Sequence, residues 1–84
     1  MREQVRDILL GLPNFAAIAH DIPDDANLWE CGMDSLTSVQ LLLRLEEKFD
    51  VEFPDELLTW ETFRSVEALS DALQVLVERR QPVH

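Results

Sequence analysis

The sequence is poor in most of what secreted, membrane-bound or nucleic-acid-binding proteins are built from. Cys31 is the single cysteine, which leaves no internal disulfide and points to a reducing compartment, the cytoplasm. No early apolar run reaches the length of a signal-peptide core or a membrane span. Bases are scarce too: seven Lys and Arg face seventeen Asp and Glu, a net charge of -10. That field repels phosphate backbones and anionic headgroups, so neither nucleic acid nor a membrane is expected as a partner. Length is also lacking, because a chain of 84 residues buries only roughly 60–65% of its unfolded surface, too little for a deep enzyme cleft. No segment alternates as a strand does, and there are no repeats or low-complexity tracts.

What is present is helical periodicity. Val5, Ile8, Leu9 and Leu12 recur at helical spacing among charged residues and predict an amphipathic helix of about three turns, closed by Gly11 and Pro13. Asn14 can cap a short continuation through Phe15, Ala16, Ala17, Ile18 and Ala19, or that stretch can be irregular and merely apolar. Residues 20–34 hold Asp21, Asp24, Asp25, Glu30 and Asp34 without one Lys or Arg. They predict a long acidic loop pinned to the core by Ile22, Leu28 and Trp29. Good helix formers run from Ser35 to Phe49, and Val51-Glu52-Phe53-Pro54 breaks them. One or two short turns follow between Asp55 and Arg64. Val66, Leu69, Leu73 and Leu76 then mark a last long helix with Ser65 as its N-cap. The expected fold is all-α: one domain over 1–84, a small four-helix bundle with three main helices and a short one before the last. A long loop joins helices one and two, and a polar tail frays from about residue 78.

The helix after Asp34 has two apolar sides. At about 100° per residue, Leu41, Leu42, Leu45 and Phe49 share one side and Leu36, Val39 and Leu43 the other. Thr37, Gln40, Arg44 and Glu47 fall between them. The second stripe either packs under the acidic loop or faces solvent as a docking surface. Its neighbour decides between these. Gly32-Met33-Asp34-Ser35-Leu36 places a hydroxyl at a helix start, where unpaired N–H groups and the helix dipole favour an anion such as a phosphodiester. Ser35 by itself would read as an N-cap.

The context around Ser35 is longer than a cap requires, and there the sequence resembles the acyl, peptidyl and D-alanyl carrier proteins. The likeness runs from Leu28-Trp29-Glu30-Cys31-Gly32-Met33-Asp34-Ser35-Leu36 through Leu41, Leu45-Glu46-Glu47-Lys48-Phe49 and Val51-Glu52-Phe53-Pro54 to Phe63-Arg64-Ser65-Val66 and Leu69. The resemblance implies an acyl-carrier-protein-like fold and a non-catalytic shuttle whose cofactor is 4'-phosphopantetheine, taken from coenzyme A onto Ser35. It implies that Asp34 helps the phosphopantetheinyl transferase position metal and coenzyme A, and that Leu36, Val39 and Leu43, flanked by Thr37 and Gln40, contact successive enzymes. Those partners are the transferase, an acyl or amino acid ligase that loads the arm, and a downstream synthase or transferase. The carrier is expected to be a monomer.

Departures from the family bear on the cargo. Carriers of fatty-acid synthesis place acids where this chain has Thr37 and Gln40, and Arg44 and Lys48 stand where they carry a small residue and an acid. The run from Ser35 to Leu43 therefore has no charge. A partner built to grip an acidic helix loses contacts here, each worth about 0–1 kcal/mol. This neutral helix, with Leu57-Leu58-Thr59-Trp60-Glu61-Thr62-Phe63-Arg64, turns the reading towards an activated amino acid, with a fatty-acyl or polyketide-type acyl cargo as the alternative. Trp60 and Phe63 read as core packing. A helical adaptor of the same fold with no prosthetic group is the competing class. Serine hydrolysis lacks an oriented base, since only His20 and His84 are available. Asp21, Asp24 and Asp25 lack the ligand order of a calcium loop, so no metal is assigned. Cys31 reads as a half-buried filler.

Overall fold

The computed structural model describes residues 1–79, and their order is helix α1 (Arg2–Leu10), helix α2 (Ser35–Phe49), a 3-10 turn (Asp55–Leu57) and helix α3 (Val66–Arg79). Among the described residues no strand interrupts this all-helical order, as the periodicity predicts. Each helix buries one stripe: Val5 and Leu9 of α1, Leu41 and Leu45 of α2, and Val66, Leu69, Leu73 and Leu76 of α3 form a common core. Burial of each such side chain contributes roughly 1.5–3 kcal/mol relative to exposure, so these stripes hold the bundle together.

The ends of the helices follow from local chemistry. Ser65 Oγ accepts the N–H of Ala68 at 3.0 Å and caps α3. Asp50 closes α2 in the left-handed conformation, φ 54°, a role tolerated by Asp more than by most side chains. The last helix reaches further than the sequence suggests. Glu78 and Arg79, assigned to a frayed tail, are helical, and Glu78 accepts a bond from Gln74 Nε2 at 3.2 Å. The rest of that tail, 80–84, lies outside the described residues.

Residues 11–34 cross from α1 to α2 without a helix of their own. Of the two readings of this stretch, a short helix capped by Asn14 or an irregular apolar segment, the second holds: separate turns form, in which Phe15 and Ala16 N–H bond to Leu12 O and Ala19 N–H to Phe15 O. Asn14 is used elsewhere, its Nδ2 donating to Gly32 O at 2.7 Å. The crossover is stitched down at two backbone points: Leu28 N–H donates to Arg64 O at 2.6 Å, and Glu67 N–H donates to Asp24 O at 2.9 Å. Its apolar residues complete the core, with Leu12, Phe15, Ala19 and Leu28 fully buried and Ile22 and Trp29 half-buried.

Candidate functional site

The approach to Ser35 is set by two residues that precede it. Gly32 takes φ 124°, a backbone region closed to side-chain-bearing residues, and so turns the acidic crossover towards the start of α2. Asp34 then caps the helix, its Oδ1 accepting the Thr37 N–H at 2.7 Å. The Thr37 backbone N–H, with help from the Thr37 and Asn14 side chains, holds the Asp34 carboxyl below the usual carboxylate range.

This assignment removes the capping role from Ser35. Ser35 is the first residue of α2 and exposed, and among the described residues no hydrogen bond occupies its Oγ. Its own N–H and that of Leu36 also lack partners among the described residues, because Asp34 takes the N–H groups of Thr37 and Ser38. Two unpaired donors and the positive end of a fifteen-residue helix thus surround a free hydroxyl.

The two sides of α2 separate as the wheel predicts. Leu41 and Leu45 are buried, Leu42 and Phe49 partly so, whereas Leu36 is 69% exposed, Val39 50% and Leu43 59%. Gln40 is exposed beside them. Thr37 was placed on this outer surface and is not there: it is buried. Two residues past Ser35, it lies about 40° from Leu41 around the helix and turns with the inner stripe.

Comparison with known proteins shows which chemistry uses this arrangement. The family model described as "Phosphopantetheine attachment site" matches residues 3–73. The chain belongs to the phosphopantetheine-attachment family. The carrier is 36% identical to the aminoacyl carrier protein of Agrobacterium fabrum over 96% of this chain and 98% of that protein. It is 33% identical to aminoacyl carrier protein 1 of Bradyrhizobium diazoefficiens over 82% of this chain and 77% of that one. Among solved structures it is similar to a chain of the crystal structure of an engineered Bradyrhizobium japonicum glycine:[carrier protein] ligase complexed with carrier protein from Agrobacterium tumefaciens and AMP. The TM-score is 0.82 and the identity 39%, over 88% of this chain and 99% of that chain. A holo acyl carrier protein from Nitrosomonas europaea superposes with a TM-score of 0.82 at 25% identity, over 92% and 95% of the two chains.

The prosthetic group of this family is 4'-phosphopantetheine, and the carrier's residues suit it. A phosphodiester needs an accessible hydroxyl and donors for its charge, and the start of α2 offers Ser35 Oγ with the Ser35 and Leu36 N–H groups. The other residues singled out in the sequence lie away from this point. Cys31 is half-buried, as a filler should be. Among the described residues no group of His, Cys, Asp and Glu is arranged to hold a metal, and no helix is long and apolar enough to cross a membrane.

The carrier's sequence concealed one feature. Phe63 is core, but Trp60, expected to pack inside with it, is 68% exposed. It rests against Trp29, ring centroids 4.0 Å apart, and Trp29 Nε1 donates to Trp60 O at 3.0 Å. Between these rings and α2 runs a groove of about 290 Å³ that reaches Ser35. The available signal was the turn chemistry of Thr59-Trp60-Glu61-Thr62, in which Thr59 Oγ1 accepts the Thr62 N–H at 3.2 Å and so fixes the loop carrying Trp60.

Proposed function

We propose that this chain carries an amino acid as a thioester on 4'-phosphopantetheine joined to Ser35 Oγ, and presents it to partner enzymes without catalysing a reaction itself. The observation that carries this reading is the free Ser35 hydroxyl at a helix start already capped by Asp34, in a chain most of which the family model spans. When bound, the group supplies a thiol at the end of a long flexible arm. The protein's own residues fix the other end: Ser35 Oγ would give up its proton as it bonds to the pantetheine-bearing phosphorus of coenzyme A, whose pyrophosphate P–O bond breaks to release adenosine 3',5'-bisphosphate, and the Ser35 and Leu36 N–H groups face the phosphodiester charge. Asp34, held anionic, stands ready to help a phosphopantetheinyl transferase place its metal and coenzyme A.

Amino acid cargo is supported by relatives named aminoacyl carrier proteins and by a similar chain in the structure of a glycine:[carrier protein] ligase complexed with glycylated carrier protein. It also agrees with an α2 that bears no charge from Ser35 to Leu43. An amino acid ligase is then the loading partner, and it meets Leu36, Val39, Leu43 and Gln40. A downstream transferase or synthase collects the cargo. Tethering gives each docked enzyme a high effective concentration of substrate. A reducing, cytoplasmic setting suits the arm's thiol and the lone Cys31.

Intact-mass measurement tests the attachment. Incubation with coenzyme A and a promiscuous phosphopantetheinyl transferase is expected to add one arm to the wild type and none to Ser35→Ala. No mass increase where a control carrier is modified would favour an unmodified adaptor. The holo form is then offered to an aminoacylating ligase and to an acyl-carrier synthetase. Charging by the synthetase alone would remove the amino acid assignment.

A further inference from the structure

We propose that Arg44 and Lys48 form a basic edge on α2 that pairs with acidic side chains of the loading ligase and lets that enzyme reject carriers of fatty-acid synthesis; this rests on the amino acid cargo proposed above. Of the six Lys and Arg among the described residues, Arg2 and Arg6 are bound to Asp24 and Arg79 reaches Glu56 at 4.0 Å. The side chains of Arg44, Lys48 and Arg64 have no hydrogen bond or ion pair among the described residues, although acids outnumber bases seventeen to seven. Arg44 and Lys48 stand one helical turn apart, both exposed. With Ile8 of α1 and with Glu47 they line an open hollow of about 520 Å³. Arg44 lies over the end of α1, where a Cβ on Gly11 would come within 3.1 Å of its Nη1. A cation suits that carbonyl end, and Lys48 in the last turn suits the end of α2. The dipoles explain why the bases are tolerated, but like charges one turn apart repel each other and stabilise nothing as a pair.

Charge decides the occupant. Around α2, Gln40 lies about 40°, Arg44 about 80° and Lys48 about 120° from Leu36, so the edge continues the exposed stripe on its far side. It begins roughly 14 Å along the helix from Ser35, and an enzyme seated on Leu36, Val39 and Leu43 with a footprint of about 800 Å² covers it. A partner surface of Lys or Arg meets like charge there. One bearing Asp or Glu gains two charge-assisted contacts at its rim. Glu47, the one acid lining the hollow, lies about 20° from Leu36 on the stripe side and is bonded to neither base. Fatty-acid carriers hold a small residue and an acid at these two places, so the same ligase acids would leave the first contact unmade and repel the second. Discrimination then comes from rejection as much as from attraction. The loading ligase is the enzyme at which that choice is made, because it commits the cargo to one carrier.

The test uses the full chain in its holo form, with the adduct verified by mass, and an aminoacylating ligase that charges it. Loading is followed against carrier concentration at low salt. Arg44→Glu/Lys48→Glu is expected to raise KM about tenfold and to leave kcat within about twofold, since the edge is remote from the arm's thiol. Arg44→Gln, the milder variant should the reversal unfold the chain, is expected to raise KM about threefold. Gln74→Glu makes the chain more negative by the same unit on exposed α3 and should leave KM unchanged. Added salt should shrink the gap between the wild type and the reversed variant. Conversion of apo to holo by the transferase should keep its rate in all of them. A KM that holds or falls when the bases are removed overturns the inference alone, and so does a rise that Gln74→Glu matches or an equal loss with the transferase. A dimer that the reversal dissolves would give the edge to a second copy of the chain and overturn it too. Charging by an acyl-carrier synthetase alone overturns the amino acid cargo and this inference together, and a missing adduct overturns the attachment with them.

Discussion

The crossover of residues 11–34 and the outer face of α2 treat apolar side chains in opposite ways. The crossover has no regular structure, yet Leu12, Phe15 and Leu28 are fully buried and Met33 nearly so. Helix α2 is the longest helix among the described residues and leaves Leu36, Val39 and Leu43 in solvent. Irregular backbone is the harder one to pin, because its polar groups need partners outside a ladder. A fold able to tuck in its loop residues that thoroughly does not expose three aliphatics for want of room. That contrast supports the proposal that the exposed stripe serves as a docking surface.

Removing one side chain from each region gives the largest test of that contrast. Phe15→Ala should destabilise the fold by about 3–5 kcal/mol, the usual loss for an aromatic deleted from a core. Leu43→Ala should stay within about 0.5 kcal/mol, since a surface change between two good helix formers touches no packing. Denaturant unfolding of the two variants checks this. Comparable losses at both positions would place Leu43 in the core and end the docking reading.

A charge on the exposed stripe sharpens the comparison by separating stability from recognition. Val39→Asp is expected to keep the helical circular dichroism and to lower loading of the holo form by a cognate ligase about tenfold or more. That loss is about 1.4 kcal/mol or more, as for a desolvated contact near the centre of an interface. An unchanged loading rate would show that partners bind elsewhere. An unfolded variant would show that half-exposed Val39 contributes to the core.

Much of this contrast was legible in the sequence, because a helix converts spacing directly into direction. The two stripes of α2 and the Ser65 cap follow from residue positions alone. Loops carry no such rule. The turns of residues 12–22 resemble a helix in composition and differ only in which carbonyls their N–H groups find. Asn14 looked like a cap because nothing in the sequence shows that Gly32 O will lie within its reach. Trp60 looked like core because large aromatics usually are, and only the Thr59–Thr62 turn and the Trp29 ring set it at the surface. At Ser35 the residue type was legible, but that Asp34 would cap, and so leave the hydroxyl free, rested on a single 2.7 Å bond.

The smallest effect concerns how the crossover is held. Asp24 accepts Arg2 Nη1 at 2.8 Å and a second bond from Arg6, whose other nitrogen donates to Ala19 O at 2.8 Å. The Arg6 guanidinium foremost, and then Arg2, lowers the Asp24 pKa from its ordinary 3.8. Because the folded value lies below the unfolded one, the unfolded chain binds the proton more readily. The clamp's stabilisation is therefore complete above about pH 4 and fades as pH falls towards the lowered folded value. Asp24→Asn abolishes this dependence while keeping the backbone carbonyl that receives the Glu67 N–H. The variant should melt slightly below the wild type at pH 7, and the gap should close below pH 4. Asp34, also lowered, is present in both proteins and cancels in the difference. The effect is modest because the clamp is partly exposed to water, and added salt should shrink it at pH 7. A melting gap of the same size at pH 7 and pH 3 would show that the loop is held by its buried leucines and Phe15 alone, with the ion pairs contributing nothing.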